Sequence, residues 1–319
     1  MKVVDFRLKG RADFIFNKIG VLLKITSVHC QLSLHMLTHD EQLYILIQGA
    51  LKEDIGNGDH STLSSIPADA QGKAVLKIKE DGILAGVEVA EKIFHFMEPA
   101  SKFVRYKKDG EAMKPGERAF EIEAKVHTIL QCERLVLNCM QRMSGIATLM
   151  HQYTQKLNGY KTRILDTRKT TPNFRLLEKD AVRIGGGMNH RFGLYDMIML
   201  KDNHIDYCGG IENAIQRAFE YAQAFVPGLK IEVETRNIED VRKVLAIGKI
   251  DRIMLDNFTP DEIIPALKLI NGQFETEASG GINLDNVADY AKTGIDFVSI
   301  GALIHQAKSL DLSLKAEKS

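Results

Sequence analysis

Cysteine is scarce in this chain of 319 residues: four occur, Cys30, Cys132, Cys139 and Cys208, and no two of them form a CxxC pair. A chain this long folds without staples, so a disulfide framework is excluded and a reducing compartment, the cytoplasm, is expected. Cys132 and Cys139 stand seven residues apart in a helical stretch and share one face, which gives them a packing role. Net charge is also lacking. Lys plus Arg and Asp plus Glu both number 42, so no global field gathers nucleic acid or an anionic membrane surface, and an anionic ligand must be caught by a local cluster. No apolar run approaches the roughly 20 residues that span a bilayer. HExxH is missing and the cysteines lie apart, which leaves zinc unsupported; GxSxG is missing, which leaves a serine triad unsupported.

What is present, 45% hydrophobic and 26% charged residues, is the make-up of a globular protein, and the length suggests about two compact units. Residues 1–35 carry six Lys or Arg against two Asp around short apolar runs. They read as an extension ahead of a domain that opens at Met36, although the pattern also fits a weak targeting segment. From Asp40 the run EQLYILIQGALKED places Leu43, Leu46, Ile47, Ala50 and Leu51 on one helical face. The stretch Glu53 to Thr62, EDIGNGDHST, reads as a loop. It resembles a calcium loop superficially, but glycine stands where further oxygen ligands are needed, and calcium is rejected. Residues 72–130 alternate apolar and polar with turns at Lys108-Asp109-Gly110 and Pro115-Gly116, which predicts an antiparallel region with one helix near Val87 to Phe96.

After His127 the pattern changes to a long helix and then to alternating strands and helices. Six short apolar runs are expected as parallel strands: Thr162 to Leu165, Met197 to Leu200, Ile231 to Val233, Ile253 to Leu255, Phe274 to Ala278 and Phe297 to Ile300. DTRK, KDNH, EVE, LDN, SGG and IGA stand at their ends. Polar or glycine residues therefore sit at the carboxyl end of every run, where α/β barrels and open α/β sheets both build their sites.

Arg168, Lys169, His190, Arg191 and Lys201 supply five potential cations at or near the first two strand ends, which suits a ligand with several negative charges. Glu234 and Asp256 end the next two strands and face the same mouth. Carboxylates opposite a basic cluster suit Mg2+ that keeps its waters and is shared with ligand phosphates, or ribose hydroxyls. Ser279, Gly280 and Gly281, with Gly301 and Ala302, end the last two strands, and backbone amides there can cradle a phosphate. Together these features favour a phosphorylated sugar ligand.

At these residues the chain closely resembles the quinolinate phosphoribosyltransferase family, also called nicotinate-nucleotide pyrophosphorylase (carboxylating), from about Leu43 to Leu314. The specific parts are EDIGNGDHST, ERLVLNCMQRMSGIAT, LDTRKTTP, LLEKDAVRIGGGMNHRFGLYD, MLKDNHI, IEVET, MLDNF, ASGGI and SIGALIH. The resemblance implies an N-terminal α/β sandwich domain over residues 36–145, an incomplete α/β barrel over 146–308 and a segment 309–319 that returns to the first domain. Residues 1–35 have no counterpart in the family. It further implies conversion of quinolinate and phosphoribosyl pyrophosphate to nicotinate mononucleotide, pyrophosphate and carbon dioxide, with Mg2+ and no organic cofactor. The resemblance also implies subunits paired as a homodimer with shared active sites, larger assemblies remaining open.

By motif match Arg134 enters the neighbour's site, while Arg168, Lys169, His190, Arg191 and Lys201 line the local one. Lys201, Glu234 and Asp256 are the implied catalytic groups, the two acids lying near ribose and, indirectly, metal. Two departures from the family pattern occur: Asn173 where glycine is usual, and Asp180 where an aromatic or small residue is usual. Two other readings compete with this one. A sister phosphoribosyltransferase with another acceptor is disfavoured by the four cations Arg134, Arg168, His190 and Arg191, which suit a dicarboxylate. A non-catalytic binding protein on the same scaffold is disfavoured because every implied catalytic group is present.

Overall fold

The first helix, His39–Ile55, buries Leu43, Ile47 and Leu51 at a spacing of four, with Asp40 and Glu41 in its first turn and Lys52 in its last, matching the helix dipole. This computed structural model describes residues 37–317. The stretch expected as a loop is shorter than its sequence suggests. The helix runs on through Glu53–Ile55, and a second helix, His60–Ser65, starts on the Asp59 carboxylate, which accepts the Thr62 amide at 3.1 Å. Asp59 is thus committed to capping.

Strand β1 (Gln71–Ile78) is followed by the short β2 (Gly82–Ile83), the helix Val87–Met97, β3 (Lys102–Arg105), the short β4 (Ala112–Met113) and β5 (Arg118–Lys125). The helix Val87–Met97 has no cap of its own; the Asp109 carboxylate, from the turn before β4, receives the Val87 amide at 2.8 Å. Phe94, Phe103 and Phe120 form the aromatic centre between helix and sheet, with the last two rings stacked at 4.4 Å.

The helix Val126–Lys156 begins two residues earlier than its sequence suggests and is about 46 Å long. Residue 145, the expected boundary, lies inside it, so one rigid rod serves both halves. Cys132 and Cys139 are both buried on it, and burial pushes each thiol up to about 12, which leaves them inert.

Six parallel strands come next, separated by helices: β6 (Arg163–Leu165), β7 (Ile198–Leu200), β8 (Ile231–Thr235), β9 (Arg252–Asp256), β10 (Glu275–Ser279) and β11 (Phe297–Ser299). Their order in the sheet is β6-β11-β10-β9-β8-β7. The ring is therefore closed everywhere except between β6 and β7, the two strands adjacent in sequence, and the barrel is incomplete. At that seam Met188 makes a single parallel bridge to Leu165 of β6. Asn173 takes a φ of 61°, a conformation that asparagine tolerates better than most residues with a side chain, so the departure from glycine keeps the turn. Asp180, the other departure, bonds His39 at 2.6 Å.

The last strand, β12 (Leu312–Ala316), lies antiparallel to β1, giving a sheet ordered β12-β1-β5-β3. To reach it the chain crosses the long helix at Gly145, where a Cβ would lie 1.8 Å from the Lys308 carbonyl oxygen. Among the described residues no helix is long and apolar enough to cross a membrane.

Candidate functional site

All six barrel strands run the same way, so their carboxyl ends open into one cleft of about 900 Å³. Arg168 and Lys169 reach it from β6, His190 and Arg191 from the seam segment, Lys201 from β7, Glu234 from β8, and Asp256 from β9. Ser279, Gly280 and Gly281 enter it from β10, and Gly301 and Ala302 from β11. Arg134 is not among the lining residues; it stands exposed on the helix Val126–Lys156. A second concavity, of about 740 Å³, opens at the amino ends of the strands, where Lys161 is spent on Asp296 at 3.1 Å.

The cleft is electrically divided. On the seam side, burial lowers the pKa of Arg191 and the charge of Arg168 lowers it further, so two guanidiniums are held together against their repulsion. The Nε of Arg168 is buried and has no hydrogen-bond partner. An unpaired buried donor on a cation is costly, and the anion that accepts from it removes the cost. Across the cleft, burial raises the Asp256 carboxyl and the nearby Glu234 charge raises it again, with Asp202 adding a smaller push. Lys201 stands between the halves, its ammonium 2.8 Å from the Glu234 carboxylate. The glycine turns close the third side. Gly280 has a φ of 96°, and a Cβ there would fall 2.2 Å from the Asn257 side chain, so the backbone must be bare at this point.

His190 lines the cleft but spends both ring nitrogens on the protein. Nε2 lies 2.9 Å from Glu232 and 3.4 Å from Glu277, while Nδ1 accepts the Arg191 amide at 2.7 Å. Burial would lower the imidazole's pKa; the two carboxylates outweigh it and pull the value up to about 9. The amide pulls the other way, because only a ring without a proton at Nδ1 can accept it. One proton at Nε2, held between His190 and Glu232, satisfies both contacts. Burial, and then the charge of Glu277, push the Glu232 carboxyl up to about 7. His190, Glu232 and Glu277 are close enough to suggest a metal centre. Arg252 already fills that role: its guanidinium is 3.0 Å from Glu277 and 2.9 Å from Glu275, and lies 4.3 Å from the Phe297 ring centre.

Sequence reasoning missed this interior layer and two supports. Glu232 precedes Glu234 by two residues on a strand buried at every position, and a period-two pair of acids in such a run is a signal that both point into the barrel. The supports carried no such signal. Arg142 donates to Glu178 at 2.9 Å and to the carbonyls of Ile304 and Ala307, both at 2.7 Å, and Glu178 in turn accepts the Thr171 amide at 2.8 Å. This ties the loop carrying Arg168 and Lys169 to the segment after Gly301-Ala302. Lys179 meets Asp166 at 2.5 Å in the wall of the seam.

Residues 59–144 match the family model for the quinolinate phosphoribosyl transferase N-terminal domain, and residues 146–315 match that for its C-terminal domain. A chloroplastic nicotinate-nucleotide pyrophosphorylase [carboxylating] of Arabidopsis thaliana is 43% identical over 290 residues, covering 86% of this chain and 83% of its own. A probable nicotinate-nucleotide pyrophosphorylase [carboxylating] of Bacillus subtilis is 42% identical over 273 residues, covering 86% and 93%. The crystal structure of NadC from Streptococcus pyogenes superposes with a TM-score of 0.81 at 40% identity, covering 88% of this chain and 99% of that one.

Proposed function

The chain belongs to the quinolinate phosphoribosyltransferase family, decarboxylating pentosyltransferases of NAD biosynthesis, and from that membership we propose how its cleft divides the work between two substrates. Quinolinate takes the seam side, its two carboxylates answering Arg168, Lys169 and Arg191, with His190 beneath them. Phosphoribosyl pyrophosphate takes the opposite side, its ribose near Glu234 and Asp256 and its 5′-phosphate on Ser279, Gly280, Gly281, Gly301 and Ala302. The observation that carries this reading is the buried, unpartnered Nε of Arg168 beside a second guanidinium.

The acids of the donor side suit a divalent cation, because the Asp256 carboxyl is raised partly by neighbouring carboxylate charge that a cation would relieve. Glu234 and Asp256 would hold Mg2+, through water, and the ion supplies charge neutralisation for the departing pyrophosphate. As pyrophosphate leaves, the anomeric carbon gains positive character, which the carboxylates of Glu234 and Asp256 stabilise. The pyridine nitrogen attacks that carbon. Lys201, tied to Glu234, lets a carboxylate of the acceptor approach the donor half without meeting an uncompensated acid. The new pyridinium draws electrons, so the bond from the ring to the carboxylate beside nitrogen breaks, carbon dioxide leaves with no electron pair, and the ring carbon takes a proton. No organic cofactor is needed for that step.

Arg134, exposed and not among the residues that line the local cleft, is assigned to the cleft of a second subunit in a homodimer. Cytoplasmic placement rests on the free Cys132, Cys139 and Cys208, and a reporter fused behind residues 1–36 tests it by whether it stays in the cytosol. The division of the cleft is tested by supplying quinolinate or nicotinate with the sugar donor and Mg2+ and measuring pyrophosphate and carbon dioxide. Equal release of both from quinolinate, with turnover at least about a hundredfold above nicotinate, is expected from one lost carboxylate pairing. Comparable use of nicotinate overturns the dicarboxylate assignment.

A further inference from the structure

The open seam raises a mechanical question. Arg168 lies just past β6 and Arg191 on the segment across the gap, yet only one bridge, Leu165 to Met188, joins the two backbones. A buried cluster beneath supplies the missing fastening. Asp166, fully buried, accepts Lys179 Nζ at 2.5 Å and the His190 amide at 2.8 Å on one oxygen, and Asn189 Nδ2 at 2.6 Å on the other. Lys179 also donates to the His190 carbonyl at 3.1 Å, and Asn189 to the Lys179 carbonyl at 2.9 Å. Three elements meet there: the strand end two residues before Arg168, the helix Arg175–Ile184, and the residues immediately before Arg191.

We propose that Asp166, Lys179 and Asn189 are positioning residues that set the separation of Arg168 and Arg191, and thereby the enzyme's choice of a dicarboxylate acceptor. The proposal rests on the assignment of those two arginines to quinolinate. Burial pushes Asp166 up and Lys179 down, each toward its neutral form, so the pair stands in surroundings that favour neither charge. Buried pairs of this kind are often replaced by apolar residues at no loss of stability, and in several proteins what they supply is a defined geometry. Two guanidiniums that repel each other need such a frame, since without it they separate until the spacing no longer fits two carboxylates on adjacent ring carbons.

The test uses the full chain with both substrates. Asp166→Asn combined with Lys179→Met removes both charges together, and Asn189→Ala removes two bonds while leaving the ion pair intact. For the double variant, KM for quinolinate should rise about tenfold or more, KM for phosphoribosyl pyrophosphate should stay within about twofold, and the preference for quinolinate over nicotinate should shrink by about tenfold, because small misplacements of binding groups carry such penalties. Asn189→Ala should shift the same parameters in the same direction by a smaller factor, and it decides the matter if the double variant does not fold. A folded variant with unchanged quinolinate KM and unchanged preference overturns the proposal, as does an equal rise in both KM values, which marks a general structural loss. Arg168→Ala is run alongside: if it leaves quinolinate binding intact, the acceptor assignment fails, whatever the clamp variants do.

Discussion

Arg168→Ala bears most directly on the acceptor half of the cleft. Its guanidinium carries a buried Nε without a partner and presses its charge on Arg191. A carboxylate bound in bidentate fashion makes two charge-assisted hydrogen bonds there, each contributing roughly 1.5–3 kcal/mol. At the lower end of that range the loss is roughly 3 kcal/mol, or about 150-fold in Kd for quinolinate.

The assay is equilibrium titration of wild type and Arg168→Ala with quinolinate and with nicotinate, in the absence of the sugar donor, so that no turnover intervenes. The four values form a cycle in which the interaction between the missing arginine and the missing carboxylate appears as a coupling energy. Nicotinate lacks one carboxylate and should lose much less than quinolinate does, which leaves a coupling of about 2 kcal/mol or more. Equal weakening of both ligands refutes the reasoning, because Arg168 would then be supporting the cleft and not recognising the second carboxylate.

Replacing Glu234 by Gln or Asp256 by Asn should lower turnover by about tenfold or more and leave the Kd for quinolinate nearly unchanged; loss of quinolinate binding in these variants would place the two substrates in the wrong halves. Arg134→Ala and Lys201→Ala should each be nearly inactive, and a mixture that exchanges subunits should regain activity in heterodimers with one intact site; exchange without recovery sinks the shared-site assignment. Gly145→Ala places a methyl group 1.8 Å from the Lys308 carbonyl oxygen, so thermal unfolding should report a loss of about 2–3 kcal/mol or more; a wild-type melting curve would show that the crossing segment can move aside.

The six barrel strands, the long helix and the chemistry of the strand ends were legible in the chain because each is a local matter. Apolar runs of three to five residues between amphipathic helices specify parallel strands, and the residues just past each run stand at the mouth whichever strands pair. Arg168, Arg191, Lys201, Glu234, Asp256 and the glycine turns could therefore be gathered from the chain alone. The closing of the ring was not legible. Which two strands stay unpaired is decided by which edges meet, and the gap between β6 and β7 results from contacts such as that of β11 with β6, far apart in the chain.

The same reason hid the framework under the site. Arg142 reaches carbonyls 162 and 165 residues away, His190 finds Glu232 across 42 residues, and Lys179 meets Asp166 from a neighbouring helix. Taken singly, these are charged residues on helices and strands, where a solvated face is the ordinary outcome. Burial turns them into a framework, because a charge removed from water must find a partner, and only the packed chain determines which partner lies within reach.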